Sequence, residues 1–238
     1  MKPLHIVHLY PVEMNIYGDT GNRLVLEKRL KWRDIPYKIS MVGIGQQLPK
    51  DVDIILGGGG QDKGQLVIES DLQTKAAALH KLAGEGVVML MICGMYQLFG
   101  SQFVTSEDKI IKGIGLLPIH TEASTDRMIG NVVFETEWGS LVGFENHSGK
   151  TYLEDGANPL GKVSKGFGNN GQDGTEGCMI NNVFGSYSHG PLLSKNPDFT
   201  DEILLRAIQL SDASITSLKK LDDSLELLAH NIATSRPQ

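Results

Sequence analysis

Cysteine is scarce. The 238-residue chain has two, Cys93 and Cys178, too few for a disulfide framework. No Cys or His pair has metal-ligand spacing near an acidic partner, so no metal site is expected. Basic residues number 22 against 28 acidic ones, a net charge of −6. That balance offers no basic face for nucleic acid and mainly aids solubility. No apolar run approaches the roughly 20 residues of a membrane span. The N-terminal Met1-Lys2-Pro3-Leu4-His5-Ile6-Val7 runs into a strand and carries no signal-peptide cleavage site, so a cytoplasmic location is expected. No glycine loop ends in Gly-Lys-Ser/Thr, which argues against a nucleotide P-loop. What remains is an ordinary globular composition, 40% hydrophobic, and a length that suits one sizeable α/β domain.

The periodicity predicts strands over 4–9, 37–42, 52–56 and 87–92. Helices are predicted over 22–33, with Asp19 or Thr20 as cap, and over 66–82. Segments 131–134 and 141–144 suggest a short hairpin. The glycine-rich stretch 161–177 reads as a loop. Helices are expected over 201–210 and 215–229, the second with a self-packing stripe of Leu218, Leu221, Leu225 and Leu228. The tail 234–238 is expected to fray. No repeat or linker interrupts the chain. It reads as a single domain over 1–238, with a core of about 4–195 and C-terminal helices over about 200–230.

Three segments carry chemistry. The apolar run Val87-Val88-Met89-Leu90-Met91-Ile92 leads directly into Cys93-Gly94-Met95-Tyr96-Gln97-Leu98. Strand, cysteine, glycine and helix in that order make a nucleophile elbow. A thiol there lies at a helix N-terminus, which favours the reactive thiolate. Cys178 has no such surroundings and reads as a buried strand residue. The second segment, Gly57-Gly58-Gly59-Gly60-Gln61-Asp62, follows another buried strand. Glycine there lets backbone N–H groups approach a ligand, and in a parallel sheet that is the ligand-binding end. The third is Tyr187-Ser188-His189-Gly190-Pro191, a histidine at a strand end. A thiol needs a base that takes its proton and returns it to a leaving group.

In this order the three segments resemble the class I glutamine amidotransferases, whose pattern is a glycine-rich oxyanion loop, Cys-x-Gly-x-Gln and a late histidine. Here the middle motif reads Cys93-Gly94-Met95-Tyr96-Gln97, with the glycine one place early. Gly143-Phe144-Glu145-Asn146-His147 is similar to the Gly-aromatic-Glu-x-His segment of the cobyric acid synthase-like (CobB/CobQ-type) branch. That branch also commonly shows His-Gly, as His189-Gly190 does. Most class I enzymes place a glutamate two after the histidine, and here that position is Pro191. Residues 14–22, 57–62 and 143–151 resemble the amidotransferase subunits of bacterial lipid II isoglutaminyl synthases. Cobyric acid synthases carry a large ATP-binding domain ahead of this one, for which a chain of this length has no room.

The resemblance implies a mostly parallel central sheet flanked by helices. It implies Cys93 as nucleophile and His189 as base. Backbone N–H groups of Gly94 and of Gly58 or Gly59 would form an oxyanion hole. Gln97 would contact substrate, and Arg127 could clamp the α-carboxylate of L-glutamine in a bidentate way. The third triad member stays open: a dyad, an in-chain acid such as Asp19 or Glu145, or an acid lent by a partner. No cofactor is expected on this chain. ATP and Mg²⁺ are expected on a Mur ligase-like synthetase subunit, completing a bacterial heterodimer that acts on lipid II. Three rivals stand beside this reading: an amidotransferase for another acceptor such as a corrinoid precursor, a stand-alone cysteine hydrolase of the same fold, and a binding module with a vestigial site.

Overall fold

A computed structural model describes residues 2–237. The strands are β1 (Leu4–Leu9), β2 (Tyr37–Val42), β3 (Ile54–Gly57), β4 (Val88–Ile92), β5 (Gln102–Val104), β6 (Ile110–Lys112), β7 (Ile119–Thr136), β8 (Gly139–Leu153), β9 (Gly161–Lys165), β10 (Thr175–Glu176), β11 (Cys178–Ile180) and β12 (Val183–Ser186). The helices are α1 (Thr20–Trp32), α2 (Asp62–Gly84), α3 (Gly94–Phe99), α4 (Pro197–Gln209) and α5 (Ser224–Ser235).

The first sheet runs β11-β12-β4-β3-β1-β2. Its pairs are parallel except at the β11 edge. β1, β3, β4 and β12 are buried along their whole length. Strands buried on both faces read as unbroken apolar runs, which is why their positions were legible. The expected mostly parallel sheet with flanking helices is present.

A second sheet, β10-β9-β7-β5-β6 with β8 on β7, was not foreseen. Its spine is the β7–β8 hairpin, far longer than the short one predicted. β7 shifts register between Ala123 and Met128, and such a bulge breaks the two-residue alternation that marks a strand. The predicted loop 161–177 likewise carries β9 and β10. β9 is held by pairing to β7 and β10, a tertiary cause invisible to local composition.

The C-terminal reading also needs correction. α5 starts at Ser224, so Leu218 and Leu221 precede it. Leu225 is 75% and Leu228 55% exposed, so the stripe does not pack on itself. The tail is tied down as far as Pro237, Gln238 lying outside the described residues: Lys165 Nζ donates to the carbonyls of Thr234 and Arg236, and Asn131 donates to that of Pro237. Asp19 does stand at the α1 N-cap position, but its side chain makes no cap bond; the acceptor for Thr20 N–H is Asn15 Oδ1.

One ion-pair network joins α1 to this end of the chain. Arg29, 2% exposed, donates to Asp201 of α4 and to Asp223 beside α5. Arg33 also reaches Asp201. Breaking a buried pair leaves the partner charge uncompensated, at a cost of about 3–5 kcal/mol. Arg29→Ala is therefore expected to lower the midpoint of thermal unfolding by several degrees, followed by circular dichroism.

Candidate active site

The parallel pairing of β4 with β12 aligns Ile92 with Ser186. Both strands end at the same edge, and Cys93 N–H donates to Ser186 O at 2.8 Å. Cys93 has φ 51° and ψ −106°, a left-handed backbone that L-residues adopt only when their surroundings impose it. α3 begins at the next residue, and Gln97 N–H closes its first turn onto Cys93 O.

His189 follows β12 by three residues and is almost fully buried. Its backbone is locked to β8 by a two-way bridge: Phe144 N–H donates to His189 O, and His189 N–H donates to Phe144 O. A side chain at Gly143 would collide with Ser188 Oγ, which explains the glycine that opens the Gly143–His147 segment. Glu145 accepts from Phe167 N–H and Gly168 N–H. It is thereby committed to the β9–β10 connection and is not the partner of His189.

Asp19 is that partner. Its Oδ1 lies 3.4 Å from His189 Nδ1, while Oδ2 accepts from Gly59 N–H at 2.6 Å. A carboxylate on Nδ1 leaves Nε2 for the thiol, and Nε2 has no hydrogen-bond partner among the described residues. Burial disfavours an imidazolium here. The charge of Cys93 and the bond to Asp19 outweigh it and hold the pKa of His189 up at about 10. The imidazole of His189 is therefore protonated at neutral pH.

The Asp19 bond also redistributes the glycine loop. Gly59 spends its N–H on Asp19, so it is not a free oxyanion donor. Gly58 packs against the Met14 carbonyl and Asp19, and neither glycine lines the cavity at Cys93. Gly60 does line it. A side chain on Gly94 would meet Gly60 O at 2.8 Å and Gly60 N at 2.9 Å, so the two backbones touch. The loop donor is best sought at Gly60, one place beyond the residues singled out from sequence, with Gly94 beside it.

The cavity is also lined by Tyr17, Gln65, Gln97, Arg127, Asn146 and His147. Arg127 therefore does reach the site, steadied by Nε donating to Asn146 Oδ1 at 2.8 Å. Burial and the Cys93 charge push the Tyr17 phenol up, and the nearby Arg127 opposes them. Gln97 is present too, but its Oε1 accepts from Gln65 and its Nε2 donates to Tyr187 OH. His147 stacks flat on Tyr187, 3.5 Å between ring centroids, and so braces this network. Tyr17 and Asn146 fall inside segments 14–22 and 143–151 that the sequence singled out but were not picked as site residues, and nothing in its local sequence marks Gln65.

Glu176 was also missed. Fully buried, it accepts on Oε1 from Ser186 Oγ at 2.6 Å and from Tyr187 N–H at 2.8 Å, bracing the segment between Cys93 and His189. Burial, with the charge of Glu145 adding to it, pushes the carboxyl of Glu176 up to about 7. A raised carboxyl pKa means the folded state keeps a proton that the unfolded chain has lost. Stability should fall as pH rises from about 4.5 to 7 and level off above. Glu176→Gln keeps an acceptor without the charge. It is expected to flatten that slope and to raise the unfolding midpoint at pH 8 by several degrees relative to the parent, measured by scanning calorimetry across pH 4.5–8.

Comparison with known proteins agrees with this fold. The profile of the CobB/CobQ-like glutamine amidotransferase domain matches residues 5–197. The chain belongs to that family. It is 34% identical to the lipid II isoglutaminyl synthase (glutamine-hydrolyzing) subunit GatD of Staphylococcus aureus, over 99% of this chain and 97% of that protein. It is 36% identical to the Streptococcus pneumoniae subunit of the same name, over 93% and 87% respectively. Among solved structures, a chain of PurLQS from Thermotoga maritima superposes with a TM-score of 0.62 at 19% identity, covering 89% of this chain and all of that one; this supports the fold. Among the described residues no helix is long and apolar enough to cross a membrane.

Proposed function

We propose that this chain is the glutaminase subunit of a two-subunit, ATP-dependent amidotransferase that converts D-glutamate of the lipid II stem peptide to D-isoglutamine. The observation that carries the chemistry is Cys93 in the cavity wall with the buried His189–Asp19 pair beside it. The acceptor rests on near full-length similarity to two proteins named as subunits of lipid II isoglutaminyl synthase. That coverage favours this acceptor over a corrinoid precursor.

In this reading Arg127 holds the α-carboxylate of L-glutamine, and the Cys93 thiolate attacks the carboxamide carbon. Negative charge gathers on the carboxamide oxygen, and the N–H groups of Gly94 and Gly60 receive it. One such donor contributes about 3 kcal/mol of transition-state stabilisation. The C–N bond breaks as His189 passes its proton to the departing nitrogen, giving ammonia and a glutamyl thioester. His189 then takes a proton from water. The hydroxide attacks the thioester carbonyl, and glutamate leaves with the thiolate restored. Asp19 orients the imidazole throughout, which supplies the triad acid from within this chain.

Ammonia must then meet an activated carboxylate. ATP and Mg²⁺ belong, in this reading, to a Mur ligase-like partner that phosphorylates the acceptor, and lipid II is met through that partner. Cys93→Ala in the assembled complex should abolish glutamine-dependent isoglutamine formation and leave ammonium-dependent formation intact. Amidation of lipid II measured by mass spectrometry with each nitrogen source is the test. Loss of both activities from an intact complex would refute the division of labour.

The acid role has its own signature. Catalysis needs protonated His189, so kcat/KM should fall as pH rises through about 10. Asp19→Asn removes one of the charges that hold that proton. It should move the alkaline limb to lower pH and reduce turnover about a hundredfold. An unmoved limb in the pH–rate profile would reject Asp19 as the partner of His189.

A further inference from the structure

One side chain in the cavity wall is incompletely bonded. Gln65, in the first turns of α2, is 1% exposed and lines the same cavity as Cys93. Its Nε2 donates to Gln97 Oε1 at 2.7 Å and also faces Gly60 O at 3.5 Å. The carbonyl of Gly60 can only accept, which assigns the amide atom facing it as the nitrogen. Oε1 is then buried with no donor among the described residues. A buried acceptor without a donor costs about 1–3 kcal/mol, and in a cavity wall that cost is removed when a ligand brings an N–H. The other buried, unpartnered polar side-chain atom of the wall among the described residues, His147 Nε2, lies 3.9 Å from Glu145 Oε2, close to an acceptor already in the protein.

The position of Gln65 says which N–H it meets. Its amide rests on Gly60, whose backbone touches Gly94, the neighbour of the nucleophile. It also bonds to Gln97, one helical turn beyond Cys93. Arg127 is held elsewhere, on the β7–β8 hairpin through Asn146. Gln65 thus belongs to the nucleophile end of the cavity, where a carboxamide rather than an α-amino group would lie.

We infer that Gln65 is a specificity residue whose Oε1 accepts a hydrogen bond from the carboxamide NH₂ of L-glutamine and so excludes L-glutamate. The inference rests on the glutaminase reading above and adds to it the residue that reads the scissile amide. A γ-carboxylate at the same place would set oxygen against oxygen with no proton between them. The same contact disfavours the product once ammonia has gone. Gln97 cannot serve, because its own oxygen is already filled by Gln65.

The test is binding to the Cys93→Ala protein, in which no turnover consumes the ligand. Ligand-observed NMR titrations would compare L-glutamine, L-glutamate and 5-oxo-L-norleucine, which replaces the amide NH₂ by a methyl group of similar size. L-Glutamine is expected to bind about tenfold or more tightly than either of the others. Adding Gln65→Met should shrink the gap between L-glutamine and 5-oxo-L-norleucine to about twofold, while 5-oxo-L-norleucine binds as before. A merely structural role for Gln65 would weaken all three ligands together and would overturn the inference. So would an undiminished gap in the double variant. Should that variant fail to fold, the ligand series on Cys93→Ala decides: equal binding of L-glutamine and 5-oxo-L-norleucine rejects the contact. L-Glutamine that does not bind at all rejects the glutaminase reading itself, a different outcome from binding without discrimination.

Discussion

The site depends on one backbone hydrogen bond, Cys93 N–H to Ser186 O. It continues the parallel ladder between β4 and β12 one step past the last paired residues. Two segments almost a hundred residues apart thereby leave the sheet side by side. One turns sharply at Cys93 into α3. The other runs on for three residues to His189 and is stopped there by its bridge to Phe144. Thiol and imidazole reach the same sheet edge because the register of two strands is fixed, and that register is fixed by burial on both faces.

Close backbone packing does the next part of the work. Gly60 and Gly94 touch, and Gly59 approaches Asp19 closely enough to share its carboxylate with His189. A single acid thus orients the imidazole and holds the glycine loop. The same carboxylate is then unavailable to cap α1, and Asn15 accepts from Thr20 N–H in its place. A residue with the sequence signature of a cap has been drawn into the site, and the helix start is bonded by a neighbour instead.

Behind the cavity the interior is polar yet largely bonded. Gln65, Gln97, Tyr187, Thr151 and Thr121 form one chain of hydrogen bonds. Glu176 holds Ser186 and Tyr187 from the other side. Such networks are rigid when complete, and each missing partner is costly. The gaps are therefore informative: the open acceptor of Gln65 belongs to a side chain of the cavity wall, and the second oxygen of Glu176 fits a carboxyl that keeps its proton near neutral pH.

Local sequence determined the parallel sheet and the turn at Cys93, and it singled out His189. Buried strands, a tight turn and the glycines it needs leave a pattern in neighbouring residues, and the spacing of these motifs points to one family. The second sheet was hidden, because a bulge breaks its alternation and its strands are held by distant partners. The C-terminal helix was misplaced for a related reason: Arg29 and Lys165, far off in the chain, anchor that end. Gln97 and Arg127 were legible as residues of the cavity wall. The choice of Asp19 over Glu145, the shift from Gly59 to Gly60, and the presence of Tyr17, Gln65 and Glu176 were decided by tertiary structure alone. Each depends on which polar group already has a partner. Hydrogen bonds between residues tens to more than a hundred positions apart settle that, and such bonds leave no trace in local sequence.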